Sequence, residues 1–142
     1  MKSIFPLVLM FILLSGCPKV DSGVGYGLGE TIMLSLKTPV YIKSENITLL
    51  FSEVSSDNRC PKGVNCIQAG KAKINVDVAI GDAVSPVKLE ARGLCQKEDG
   101  SCGTSTKAQG YTINLYQVYP YPEEGQNKSE TKYLAKVMIT KD

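Results

Sequence analysis

Residues 71–80 alternate without a break. Ala72, Ile74, Val76, Val78 and Ile80 fall on one side of an extended chain, and Lys71, Lys73, Asn75 and Asp77 on the other. Five repeats at period two describe a strand with one face in a core and one in water, a pattern that no helix gathers onto a single stripe. Gly81-Asp82 then signals a turn. The same grammar recurs along the chain. Ile32, Leu34 and Leu36 alternate with Met33, Ser35 and Lys37 until Thr38-Pro39, and Val40-Tyr41-Ile42 follows as a short extended piece. Residues 47–54 are apolar on both faces in their first half, which suits a central strand. Val87, Leu89 and Ala91 form the next, with Pro86 near its start, where a missing N–H is tolerated. Tyr111, Ile113 and Leu115 open a run to Tyr119, and Tyr133, Ala135, Val137 and Ile139 form the last. The loop YPYPEEGQNKSE lies between these two, which are expected to pair as a long-looped hairpin. Six to eight short strands with punctuated turns, and no 3.6-residue stripe among them, predict an all-β fold over 31–142. The architecture expected is an antiparallel sandwich or a small open barrel.

The start of the chain is of another kind. Lys2 supplies a positive charge, residues 4–14 are apolar except for Pro6, and Leu14-Ser15-Gly16-Cys17 follows. A membrane-crossing helix needs about 20 apolar residues, whereas a signal-peptide core needs about 7–15. The segment resembles a bacterial lipoprotein signal peptide ending in a lipobox. That resemblance implies that 1–16 is removed and that Cys17 is diacylated. The mature chain would then be lipid-anchored to a membrane of the cell envelope, facing the periplasm or the exterior. At about 0.8 kcal/mol per buried CH₂, two acyl chains anchor stably. Residues 17–30 are glycine-rich and read as the lipidated, flexible tether; the alternative is an irregular first strand around Tyr26 to Leu28.

What the mature chain lacks narrows its chemistry. It contains no histidine, which removes the commonest general base and metal ligand and every Ser-His-Asp or Cys-His arrangement. Charge is nearly balanced over the whole chain, at +2, with no basic stripe, so nucleic acid is not an expected partner. No metal site, cofactor or catalytic set is expected. Lys71/Lys73, Lys128/Lys132 and Lys136/Lys141 read as solvated faces and loops. After Cys17 four cysteines remain: Cys60, Cys66, Cys95 and Cys102. An even count in an exported chain reads as disulfides. The local pairing, Cys60 with Cys66 and Cys95 with Cys102, is expected because each pair sits in its own Gly/Pro/polar loop; a crossed pairing would staple the loops together. Neither spacing is the C-x-x-C of a redox or zinc site.

The densest constellation is residues 57–70, DNRCPKGVNCIQAG, which joins two well-patterned strands. It resembles a motif of small exported bacterial proteins and lipoproteins of unassigned function, roughly D-S-R-C-P-x-x-V-x-C-x-W-A-G. Asp57, Arg59, Cys60, Pro61, Val64, Cys66, Ala69 and Gly70 match; Asn58 replaces the commoner serine, and Gln68 stands where tryptophan is expected. The residues also explain themselves structurally: Pro61 presets φ, Gly63 permits a reversal, and Arg59 can pair with Asp57. The functional reading is a rigid binding loop presenting Asp57, Arg59, Lys62 and Val64. In the second loop, Glu98 and Asp99 offer too few oxygen ligands at fixed spacing for calcium. Tyr116, Tyr119 and Tyr121, with Pro120 and Pro122, form an aromatic patch that either marks an interface or caps an edge of the sandwich. Glu53 and Asp57 are a paired-carboxylate site only on paper, since no aromatic cleft accompanies them. The reading that follows is a membrane-anchored binding or structural module with a protein partner in the envelope. Its alternative is an inhibitor of a hydrolase acting through a disulfide-closed loop.

Overall fold

The period-two runs fold as two antiparallel four-stranded sheets packed face to face, a sandwich and not a closed barrel. A computed structural model describes residues 25–95, 97 and 101–142. Residues 1–16, Cys17 and the tether up to residue 24 lie outside the described residues, as do Gln96, Glu98, Asp99 and Gly100. One sheet is a meander of β2 (Pro39–Ile42), β3 (Ile47–Asp57), β4 (Lys71–Ile80) and β5 (Ala83–Arg92). The other places β1 (Thr31–Ser35), β8 (Leu134–Lys141), β7 (Tyr111–Tyr119) and β6 (Ser105–Ala108) side by side in that order. β7 and β8 pair as the expected hairpin, with Ile113 opposite Ile139 and Leu115 opposite Val137.

The core is the set of inward residues that the alternation marks. Ile32, Leu34, Leu49, Phe51, Ile74, Val76, Val78, Leu89, Ile113, Val137 and Ile139 are all fully buried between the sheets. At about 25 cal/mol per Å² of apolar surface removed from water, burial of this kind is the main stabilising term. β3 does not stop at Val54. Two register shifts against β4, between Phe51 and Glu53 and between Val54 and Ser56, carry it on to Asp57. Bulges of this kind re-aim side chains, and here the strand ends with Asp57 pointing inward.

The registers give the sandwich two unlike ends. Ile42 pairs with Ile47, Ile80 with Ala83 and Ala108 with Tyr111, so three tight connections share one end. The connections 58–70, 93–104 and 120–133, with both disulfides, share the other. The chain comes into the sandwich at the first of these ends. Tyr26 bridges Ile42, and the Gly29 N–H donates to the Ile139 carbonyl at 2.8 Å. Tyr26 and Leu28 also pack partly on the core, so residues 26–29, within the expected tether, lie against the domain.

β5 is an edge strand with two forms of cover. Near the loop end it acquires a short extra partner: Arg92 N–H donates to Cys102 O and Thr104 N–H to Glu90 O, at 2.8 and 2.9 Å. Even-numbered residues of β5 therefore turn their backbone groups outward, and Pro86 falls in that set with no N–H to offer.

Candidate functional site

The loop end is assembled around a buried ion pair. Asp57 leaves β3 facing inward, and the chain reverses so that Arg59, 2% exposed, points into the same space. The guanidinium grips the carboxylate with two bonds, Nε to Asp57 Oδ1 at 2.9 Å and Nη2 to Oδ2 at 2.7 Å. Its other N–H groups donate to the Val118 carbonyl at 2.6 Å, the Pro120 carbonyl at 3.0 Å and Gln117 Oε1 at 3.4 Å. An arginine has five side-chain donors in a fixed fork, and all five are used. Tyr121 lies over the guanidinium, 5.0 Å from ring centre to Cζ, while the Tyr133 hydroxyl donates to Asp57 Oδ2 at 3.3 Å. Lys128 Nζ donates to the Asp57 carbonyl. Burial alone would raise the Asp57 pKa. The Arg59 hydrogen bonds and charge outweigh it and hold the carboxyl below its ordinary value. Burial, followed by the Asp57 charge, pushes the Tyr133 phenol up.

The sequence-predicted loop residues therefore divide. Asp57 and Arg59 are internal struts without a solvent face, while Lys62 is exposed and Val64 half-buried. The disulfides take the local pairing, Cys60–Cys66 with Cα atoms 6.0 Å apart and Cys95–Cys102 with 5.6 Å. Two disulfides place the chain in an oxidising, extracytoplasmic compartment. Replacing Cys60 and Cys66 together by serine is expected to lower unfolding stability by about 2 kcal/mol, the closure entropy of so short a loop. Guanidinium denaturation measures it. With Cys60 2% exposed, this bond is also expected to resist millimolar glutathione; ready reduction would argue for a redox role.

The three loops touch. Lys62 N–H donates to the Pro122 carbonyl at 3.0 Å, Gly93 N–H to the Gly70 carbonyl at 2.9 Å, and Leu94 N–H to the Tyr121 hydroxyl at 2.8 Å. Tyr121 is thus committed internally. Tyr119 is 40% exposed. Tyr116 sits on the outer face of its sheet with its hydroxyl 3.6 Å from Met138 Sδ and Lys136 over its ring. Of the three tyrosines of the expected patch, Tyr116 and Tyr121 thus have different partners and Tyr119 is the most exposed.

The apolar groups that do reach solvent here went unmarked in the sequence. Ile67 is fully exposed directly after Cys66. Leu94, 53% exposed, is held at φ 50°, a region that costs a branched side chain roughly 1–2 kcal/mol. Periodicity finds neither residue, because both lie in loops. Glu53 accepts from Asn75 Nδ2 at 2.7 Å on the sheet surface while Asp57 is consumed by Arg59, so the two carboxylates do not converge on a substrate space.

Between the two disulfide loops lies an open cavity of about 530 Å³. Lys71, Arg92 and Lys97 line it, with Glu90 the one acid among the described lining residues and Asn58 and Thr104 as polar neighbours. Lys71 pairs with Glu90 at 2.6 Å. The opposite end carries a second polar cluster that sequence reading missed. The Tyr111 hydroxyl donates to Glu45 Oε2 at 2.5 Å, and Lys141 Nζ does so at 3.1 Å. The Tyr111 bond, then the Lys141 one, lowers the Glu45 pKa.

No known protein family, curated protein or solved structure matches the chain.

Proposed function

We propose that this chain is a lipid-anchored lipoprotein of the bacterial envelope that works by binding a protein partner, and that it is not an enzyme. The observation that carries the reading is the polarity of the sandwich. The chain comes in beside Ile42 and Ile139, at the end away from both disulfides. An anchor at Cys17 then turns the loop end outward. That end is stiffened by two disulfides and a fully bonded arginine, and it exposes Ile67, Leu94 and Tyr119. Rigid loops lose little entropy on docking, and exposed apolar groups at the centre of a contact carry most of its energy.

The test is crosslinking and pull-down of the native, acylated protein from its own envelope, read by mass spectrometry. One dominant envelope protein is expected. Its recovery is expected to fall at least about tenfold with Ile67→Asp, as for an anchor residue worth more than 1.4 kcal/mol. Cys17→Ser is expected to release the protein from the membrane fraction. Absence of any enriched partner, or membrane retention of Cys17→Ser, would overturn the respective half of the reading.

The second reading is inhibition of a hydrolase, favoured by the placement of Ile67 in full solvent on a disulfide-closed loop. It predicts inhibition of a protease or lysozyme at micromolar protein, lost when Lys62-Gly63-Val64 or Ile67 is replaced. No inhibition at that level removes it.

A further inference from the structure

We propose that the cleft between the two disulfide loops is an anion-binding site, taking a ligand that carries a carboxylate or phosphate group. The proposal does not rest on the protein-partner reading. Cross-strand partners share a face of the sheet, and the register places Lys71 directly opposite Arg92. Like charges in that relation destabilise a sheet, so the arrangement works against the fold it belongs to. Glu90 relieves part of it by pairing with Lys71, whose hydrogen bond lowers the Glu90 pKa and keeps it ionised. The side chains of Arg92 and Lys97, both exposed, make no hydrogen bond or ion pair among the described residues. The cavity they border, about 530 Å³, has the size of an ordinary small-ligand pocket.

The polar groups beside these cations suit an oxyanion. Asn58 uses its Oδ1 to accept from Lys71 N–H, and Thr104 uses its Oγ1 to accept from Glu90 N–H, at 2.9 and 3.0 Å. That leaves the Asn58 amide and the Thr104 hydroxyl hydrogen to donate. Arg92 supplies the planar fork that matches two oxygens of one anionic group, and Lys97 supplies a point charge. Among the described residues no aromatic side chain lines the cavity, so they give a neutral sugar no stacking platform and leave the holding to charge.

Calorimetric titration of the full-length protein at low salt, with glucuronate, inorganic phosphate and glucose as probes, tests this. Saturable one-to-one binding of glucuronate or phosphate is expected, with none of glucose; the stronger of the two anions tells carboxylate from phosphate. Arg92→Gln with Lys97→Gln is expected to weaken binding about tenfold or more, with a melting temperature unchanged or slightly raised, because neither side chain has a partner to lose and the Lys71–Arg92 repulsion is relieved. Lys136→Gln, on the outer face of the other sheet, is expected to leave it intact. No saturable anion binding at low-millimolar probe, equal loss with Lys136→Gln, or full binding by the double variant would each overturn the site.

Discussion

Arg59→Ala is expected to cost the fold about 3–5 kcal/mol, the usual penalty for leaving one member of a buried ion pair behind. The melting temperature is then expected to fall on the order of 10–20 °C. The loss has three parts. Asp57 remains inside with a charge and two weak donors, the Tyr133 hydroxyl and the backbone N–H of residue 59, each at 3.3 Å. The Val118 and Pro120 carbonyls lose their donor. The Tyr121 ring loses the cation beneath it. Asp57→Ala is expected to be similarly costly. Asp57→Leu with Arg59→Met is expected to recover much of the loss, because buried ion pairs contribute mainly when one partner is removed. A double-mutant cycle by guanidinium denaturation measures the coupling, and additive single losses would sink the account. The pair also sets an acid limit. The folded-state pKa of Asp57 is depressed, so its contribution is fully present above the ordinary value of 3.8. It is lost as pH falls through the lower folded value. Arg59→Ala is therefore expected to lose part of the stability that wild type retains down to about pH 4.

Gly70→Ala is the second large effect. Gly70 sits at φ +65°, and a Cβ there would stand 1.9 Å from the Asn58 carbonyl oxygen, a backbone atom with no room to retreat. Left-handed strain of about 1–2 kcal/mol and overpacking of about 1–3 give roughly 2–5 kcal/mol of destabilisation. The rest of the network forbids a cheap escape. Asn58 N–H is bonded to the Lys71 carbonyl, and Gly70 O receives the Gly93 N–H. Gly63, seven residues earlier and at φ +77°, has nothing within 4 Å of its would-be Cβ. Gly63→Ala is accordingly expected to cost only about 1 kcal/mol. Equal losses at the two positions in denaturant titrations would show that conformation alone, and not the close approach, sets the requirement at Gly70.

β4 was legible residue by residue because each inward position is apolar and each outward one polar or small, which is all that a half-buried strand requires. β6 was not. In Ser105–Ala108 only Ala108 is buried, and a four-residue edge strand held by its neighbour leaves no periodic trace. The last three residues of β3 were missed because Ser-Ser-Asp reads as a loop, and the bulges that keep the strand paired take up Ser52 and Ser55 as extra residues, which break its alternation. Arg59 shows the limit most clearly. Its pairing with Asp57, two positions away, was readable from local spacing. Its deeper role was not, because the carbonyls it bonds stand 59 and 61 residues further along. The cation cleft failed for the same reason. Lys71 and Arg92 are unremarkable surface charges until the β4–β5 register sets them face to face.

Pro86 and the short rung at residues 102–104 bear on a different hazard. With the proposed lipid anchor, molecules would share a plane, where neighbours meet edge to edge far more often than in free solution. A bare sheet margin is a template for recruiting the next copy. Along the outer margin of β5, Glu90 and Arg92 already have partners in Thr104 and Cys102, and Pro86 interrupts the remaining rungs with a missing donor. Crowded neighbours thus find no continuous run of backbone groups there to zip onto, and molecules packed side by side can stay individual.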